Sequence, residues 1–206
     1  MLLVPLYHRV DQRIQKHFLC FSQYGSLFPG EPLNGKINIC ITFDDATRDF
    51  YEVVFPLLKT YRLKALLAVP VAFVGKEGYC TWKELEEMSK SGFVKIASHS
   101  MRHPDMTLED VNLEEEVADS KKNLEERLNV EVDTFVYPFG KFNRKVHKKV
   151  KEHYSYIMRI GMAFNRGWKN RSGLTYRISA DFLDDPERLF KKKHFYSYWL
   201  NLLRGR

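Results

Sequence analysis

The chain has 206 residues, 44% of them apolar, which is enough to bury a full core and leaves no stretch that reads as disordered. Its formal charge of +7 favours anionic surroundings, yet the lysine-rich runs Arg144 to Lys151 and Lys191 to Lys193 come with no nucleic-acid motif, so solvated helix faces are the simpler reading. No apolar run approaches the roughly 20 residues of a membrane span, and Cys20, Cys40 and Cys80 form no close pair, which argues against a disulfide framework and a thiolate zinc site.

In chain order, Leu2 to Leu6 reads as a first strand that delivers Tyr7-His8-Arg9 at its C-terminal end. The segment that follows carries Gly25, Pro29, Gly30, Pro32 and Gly35 and is expected to be irregular. Ile37 to Phe43 is a β-branched run, read as a buried strand, that ends in the adjacent carboxylates Asp44 and Asp45. Side chains alternate along a strand, so these two should point to opposite sides of the chain in a poorly solvated place. A nearby cation would remove the cost, which suggests a metal-assisted site with one carboxylate on the ion and the other free for proton transfer.

Arg48 to Tyr61 has helical spacing, with Pro56 expected to kink it, and Ala65 to Val71 is a third strand. Thr81-Trp82-Lys83-Glu84 has the form of a capping box for a helix that Gly92 closes. Phe93 to Ala97 is a fourth strand, followed by His99 and His103. Thr107 is expected to cap a long charged helix to about Leu128. Val132 to Val136 is a fifth strand, followed by Tyr137-Pro138-Phe139-Gly140. Asn143 opens a helix to about His153, weaker strands lie near Tyr156 to Ile160 and Leu174 to Ile178, and Asp185-Pro186 opens a last helix. Strands alternate with helices, which means a parallel sheet or a barrel. In a barrel the polar groups after the strands share one face, where chemistry is placed.

His99 and His103 are separated by three residues, a spacing that can place two imidazoles on one ion in a helical turn or a tight loop. With Asp44-Asp45 at another strand end they make a two-His, one-carboxylate set with open positions for water. At this point the sequence resembles the polysaccharide deacetylases of carbohydrate esterase family 4. Thr42-Phe43-Asp44-Asp45 looks like the family's first motif, His99-Ser100-Met101-Arg102-His103 like its second and Tyr137-Pro138-Phe139-Gly140 like the end of its third, and the similarity runs from about Leu2 to Ile178.

The resemblance implies an α/β fold, a distorted (β/α) barrel of about seven parallel strands, with residues 1–206 as one catalytic domain. It implies one divalent metal, zinc with nickel, cobalt or iron(II) as alternatives, held by Asp45, His99 and His103. Asp44 would be the general base, and the N–H of Phe139 would face the developing oxyanion. The third motif usually carries an arginine where this chain has Val136, so Arg177 is the candidate to orient Asp44. Ala46 stands where glycine is usual. The late histidine that supplies the acid in many members is absent, since His194 lies in another setting. A subgroup resembling the poly-N-acetylglucosamine deacetylases takes its acid from an early Tyr-His pair, and Leu6-Tyr7-His8 looks like that pair, which assigns the acid to His8.

Tyr7, Tyr137 and Pro138 are expected to line the substrate site, while His17, His147, His153 and His194 read as surface residues. The function expected is hydrolysis of the acetamide of an N-acetylated sugar or glycan, releasing acetate. Cleavage of another amide on the same barrel, or glycan binding without catalysis, are the alternatives. The first ten residues lack the pattern of a secretory signal, so a cytoplasmic location is expected. The stretch Lys191 to Leu200 mixes cations with aromatics and could touch an anionic membrane surface at the inner face. Nucleic acid is not an expected partner.

Overall fold

The computed structural model describes residues 1–161, 165–170 and 173–190. Among the described residues nine short strands follow in order: β1 (Leu2–Leu3), β2 (Pro5–Tyr7), β3 (Asn38–Ile39), β4 (Ile41–Phe43), β5 (Ala65–Val69), β6 (Val94–Ser98), β7 (Thr134–Val136), β8 (Tyr156–Ile160) and β9 (Thr175–Ser179). β1 and β2 continue one another across Val4, as β3 and β4 do across Cys40. The result is a closed barrel of parallel strands in the order β2-β4-β5-β6-β7-β8-β9, the seven-strand barrel expected of the sequence.

Period-two alternation sorts the strand residues into two cores. Leu2, Val4, Cys40, Leu66, Ala68, Ala97, Val136 and Met158 fill the barrel interior. Tyr7, Ile39, Ile41, Phe43, Leu67, Val69, Ile96 and Phe135 face outward and pack under the helices. Those helices are α1 (Arg13–Phe21), α2 (Phe55–Tyr61), α3 (Trp82–Lys90), α4 (Ser120–Leu128) and α5 (Arg144–His153). Among the described residues no helix is long and apolar enough to cross a membrane.

Several expectations about elements are met. The Thr81 capping box forms, with Glu84 bonding back to the Thr81 amide, and Asn143 caps α5 through the Val146 N–H. Pro56 has no N–H to give to an i−4 carbonyl. The helix meets that demand with a π-helical turn over Phe50–Val54, in which the Phe55 N–H reaches the Phe50 carbonyl.

Two expectations fail. The segment after β2 is not irregular throughout, because α1 forms with Ile14, His17, Phe18 and Phe21 buried at helical spacing. The long charged helix does not start at Thr107, whose hydroxyl is taken by Asp105 in a turn. It starts at a π-helical turn, Glu114–Asp119, with the Asn112 side chain accepting from Glu114 and Glu115. Lys191 to Leu200 and His194 lie outside the described residues.

Candidate active site

The strand ends converge on a cavity of about 210 Å³ lined by Leu6, His8, Asp44, Asp45, His99, His103, Tyr137, Phe139, Gly140, Ile160 and Arg177. Asp44 follows Cys40 and Thr42 on the inward face of β4 and is almost fully buried. Alternation would send Asp45 outward. Instead Asp45 and Ala46 both adopt left-handed backbone, φ +71° and +53°, and that turn brings the second carboxylate back to the cavity. A non-glycine residue in this conformation costs about 1–2 kcal/mol, which gives a reason for glycine being usual where Ala46 stands.

Asp44 is gripped by Arg177, which reaches across the barrel from β9: Nη1 donates to Oδ1 at 2.5 Å and Nη2 to Oδ2 at 2.9 Å. Arg177 is 1% exposed. Burial pushes the Asp44 carboxyl up, but the Arg177 guanidinium, helped by His8, outweighs it and holds the group below the usual carboxylate range. Asp45 moves the other way, raised by burial and by the negative charge of Asp44 beside it. Two adjacent carboxylates are thus made chemically unlike by their surroundings.

His99 donates its Nδ1 proton to the Val136 carbonyl at 2.7 Å, which leaves the Nε2 lone pair facing the cavity. Burial holds its pKa down to about 4, so the ring is neutral. His103 lies with its Nε2 3.1 Å from that of His99, and Asp45 Oδ1 is 3.9 Å from the first nitrogen and 3.7 Å from the second. All three donors fall within 4.8 Å of one another. Asp45 Oδ1 is buried with no hydrogen-bond partner among the described residues. Two nitrogens on a tetrahedral zinc at about 2.0–2.1 Å would sit about 3.3 Å apart, so the donor types, the orphaned oxygen and the spacing all fit a divalent ion.

Opposite this trio, His8 leaves the end of β2. Its Nδ1 meets Asp181 Oδ2 at 2.9 Å, its backbone N–H reaches the other oxygen at 2.7 Å, and its Nε2 points toward Asp44 at 3.7 Å. The Asp181 hydrogen bond raises the His8 pKa against the lowering effect of burial, with the Asp44 charge helping. Asp181 is a site residue that the sequence reading missed. It stands just past β9, and the rule that flagged the other strand ends applies to it as well.

Phe139 occupies a left-handed conformation, φ +55°, and is 62% exposed, with its ring edge-on to His103 at 4.6 Å. The turn depends on Gly140, φ +66°, where an added Cβ would lie 2.5 Å from the Ile160 side chain. Tyr137 borders the cavity, while its ring packs against Phe135 and Phe142 and its hydroxyl meets His147 Nδ1 at 2.9 Å.

Tyr7 and Pro138 are not on the cavity. As the neighbour of inward-facing His8, Tyr7 must point the other way, and it is 2% exposed with its ring stacked on Phe43. Its hydroxyl meets His17 Nδ1 at 2.7 Å, and His17 Nε2 donates to the Leu183 carbonyl at 2.6 Å. His17 is therefore a buried link, not a surface residue. Pro138 is buried in its turn. Trp82 lies beneath the Arg127 guanidinium and Trp168 bonds the Glu31 carbonyl, so neither lines the cavity.

A closed parallel barrel with a histidine and carboxylate cluster at its strand ends places its polar groups where barrel enzymes place their chemistry, and comparison with known proteins narrows the class. Residues 33–156 match the polysaccharide deacetylase family model, and the chain belongs to that family. YxkH of Bacillus subtilis, whose name places it among the polysaccharide deacetylases, is 30% identical over 115 residues, 55% of this chain and 41% of that protein. The poly-beta-1,6-N-acetyl-D-glucosamine N-deacetylase of Staphylococcus aureus is 27% identical over 142 residues, 62% of this chain and 47% of that protein. The chain thus matches less than half the length of either curated relative. Among solved structures, the Streptococcus pyogenes deacetylase PplD in complex with acetate superposes with a TM-score of 0.78 at 24% identity, over 92% of this chain and 96% of that one. IcaB from Ammonifex degensii gives 0.76 at 21%, over 92% and 95%. These two show a shared fold.

Proposed function

We propose that this chain is a metal-dependent N-deacetylase that hydrolyses the acetamide of an N-acetylated glycan, releasing acetate and a free amine, and that residues 1–206 form one catalytic domain. The observation that carries the reading is the pairing of two unlike halves across one cavity. On one side Asp45, His99 and His103 present a three-donor set; on the other His8 is backed by Asp181, with Asp44 between them. The Staphylococcus aureus relative is named for a poly-N-acetylglucosamine substrate, and polymers of N-acetylglucosamine are the substrate class we assign.

Asp45, His99 and His103 would hold the metal. When bound, it supplies Lewis acidity at the scissile carbonyl and lowers the pKa of water. Asp44, ionised and fixed by Arg177, takes the proton of the attacking water. The Phe139 N–H, presented by the left-handed turn before Gly140, faces the oxygen on which charge develops. His8, whose pKa the Asp181 hydrogen bond raises, delivers a proton to the departing nitrogen. Arg177 prevents Asp44 from rotating or accepting that proton at rest.

Acetate release from a β-1,6-linked N-acetylglucosamine oligomer, with zinc supplied and then chelated, tests this reading. Zinc-dependent acetate release is expected; full activity after chelation and dialysis would remove the metal from the reaction.

A further inference from the structure

The loop that carries both histidines is held in a costly backbone conformation. Ser100 and His103 have φ of +67° and +60°, conformations that cost about 1–2 kcal/mol each for side chains of this kind. Some of the restraint lies within the loop, where Ser100 Oγ accepts the His103 N–H at 2.9 Å, and some comes from the segment after β5, where Val71 and Ala72 donate to the Ser100 and Met101 carbonyls at 3.2 and 2.8 Å. The remaining amides at the middle of the loop, those of Met101 and Arg102, both donate to one oxygen. That oxygen is Glu116 Oε2, at 2.9 Å from each.

Glu116 is 4% exposed and sits in the π-helical turn that opens the fourth helix. A buried carboxylate accepting two backbone N–H groups makes charge-assisted bonds, roughly twice as strong as neutral ones. Its other oxygen has the Arg102 guanidinium 3.6 Å away, and the same guanidinium meets Glu115 at 2.5 Å. Arg102 is exposed, so those pairs contribute little. The strong tether is the one to the two amides.

We propose that Glu116 is a positioning residue that presets the spacing of His99 and His103 for a divalent cation, acting through the Met101 and Arg102 amides and touching neither ion nor substrate. The proposal rests on the metal reading of Asp45, His99 and His103. The test is zinc affinity, measured by competition with a chromophoric chelator, in the wild type, Glu116→Gln and Glu115→Gln. Gln keeps the side-chain shape but loses the charge. Zinc binding should weaken about 10- to 100-fold in Glu116→Gln and be unchanged in Glu115→Gln. Saturating zinc should restore acetate release in Glu116→Gln, which a general loss of folding would not allow.

Amide hydrogen exchange of the zinc-free wild type supplies a second measurement that needs no variant. The Met101 and Arg102 amides should exchange slowly, with the barrel core. Equal zinc affinity in Glu116→Gln and wild type would overturn the proposal, as would fast exchange of both amides should the variant not fold. A wild type that takes up no zinc would instead overturn the metal reading, independently of the exchange result.

Discussion

The two halves of the cavity are built in opposite ways. The half formed by β4 and β6 is buried and local: Asp44 and Asp45 are adjacent, His99 and His103 lie within one loop, and His99 is 2% exposed. The half formed by β2 and β9 is open and distant, since the His8 side chain is 42% exposed and its partner Asp181 lies 173 residues away. In the first half burial keeps His99 neutral, while the Arg177 guanidinium, against burial, holds the Asp44 pKa below the usual carboxylate range. Partial exposure leaves the second half able to exchange a proton with solvent, which an acid must do on every turnover. Arg177 joins the halves, as it comes from β9 and grips Asp44 at the end of β4.

Cutting that join should have the largest effect. Arg177→Met leaves a buried carboxylate unpaired, and breaking a buried pair in this way costs about 3–5 kcal/mol of stability, read as a lowered denaturant midpoint. Without the guanidinium, burial dominates at Asp44 and its pKa rises. The base must be ionised to work, so the acid limb of the kcat/KM profile should move to higher pH. An unmoved limb would mean that another group holds Asp44.

His8→Ala tests the open half and should lower kcat by about 10²- to 10⁴-fold, with zinc affinity unchanged. A rate equal to wild type would remove His8 from the reaction. Asp181→Asn is milder and more diagnostic. An acid acts while protonated, so activity falls as pH rises through the His8 pKa. The Asp181 bond raises that pKa above the ordinary histidine value of about 6.5. Asp181→Asn should therefore shift the alkaline limb to lower pH, whereas a shift upward would contradict the pairing.

The smallest effect concerns a residue outside the cavity. Tyr7→Phe leaves buried His17 Nδ1 without its donor and should cost about 1–3 kcal/mol of stability, with kcat and KM for the oligomer unchanged. A raised KM would return Tyr7 to the substrate site.

The same contrast governs what could be read from the sequence. Strand and helix patterns alternating along the chain make a parallel sheet or a barrel legible, the resemblance to the deacetylases supplies the closed barrel of about seven strands, and the Asp44, Asp45, His99, His103 cluster is legible because each pair is local. The Arg177 contact was open to inference only from a gap, since Val136 left the usual position without a cation. Asp181 is legible as a strand-end carboxylate just past β9, while its pairing with His8, 173 residues away, is not. Tyr7 faces away from the cavity although its motif neighbour His8 faces in, because adjacent strand residues point opposite ways. The helix Arg13–Phe21 carries its signal in the helical spacing of its buried residues, Ile14, His17, Phe18 and Phe21, and the glycines and prolines that break the segment all follow it.

The division of labour between the adjacent carboxylates is the step on which everything else depends. Zinc binding and acetate release measured together in Asp44→Asn and Asp45→Asn test it most directly. Asp44→Asn should bind zinc as the wild type does while losing about 10²- to 10⁴-fold in acetate release, and Asp45→Asn should lose zinc and activity together. Full zinc retention in Asp45→Asn, or acetate release surviving in Asp44→Asn, would contradict the assignment.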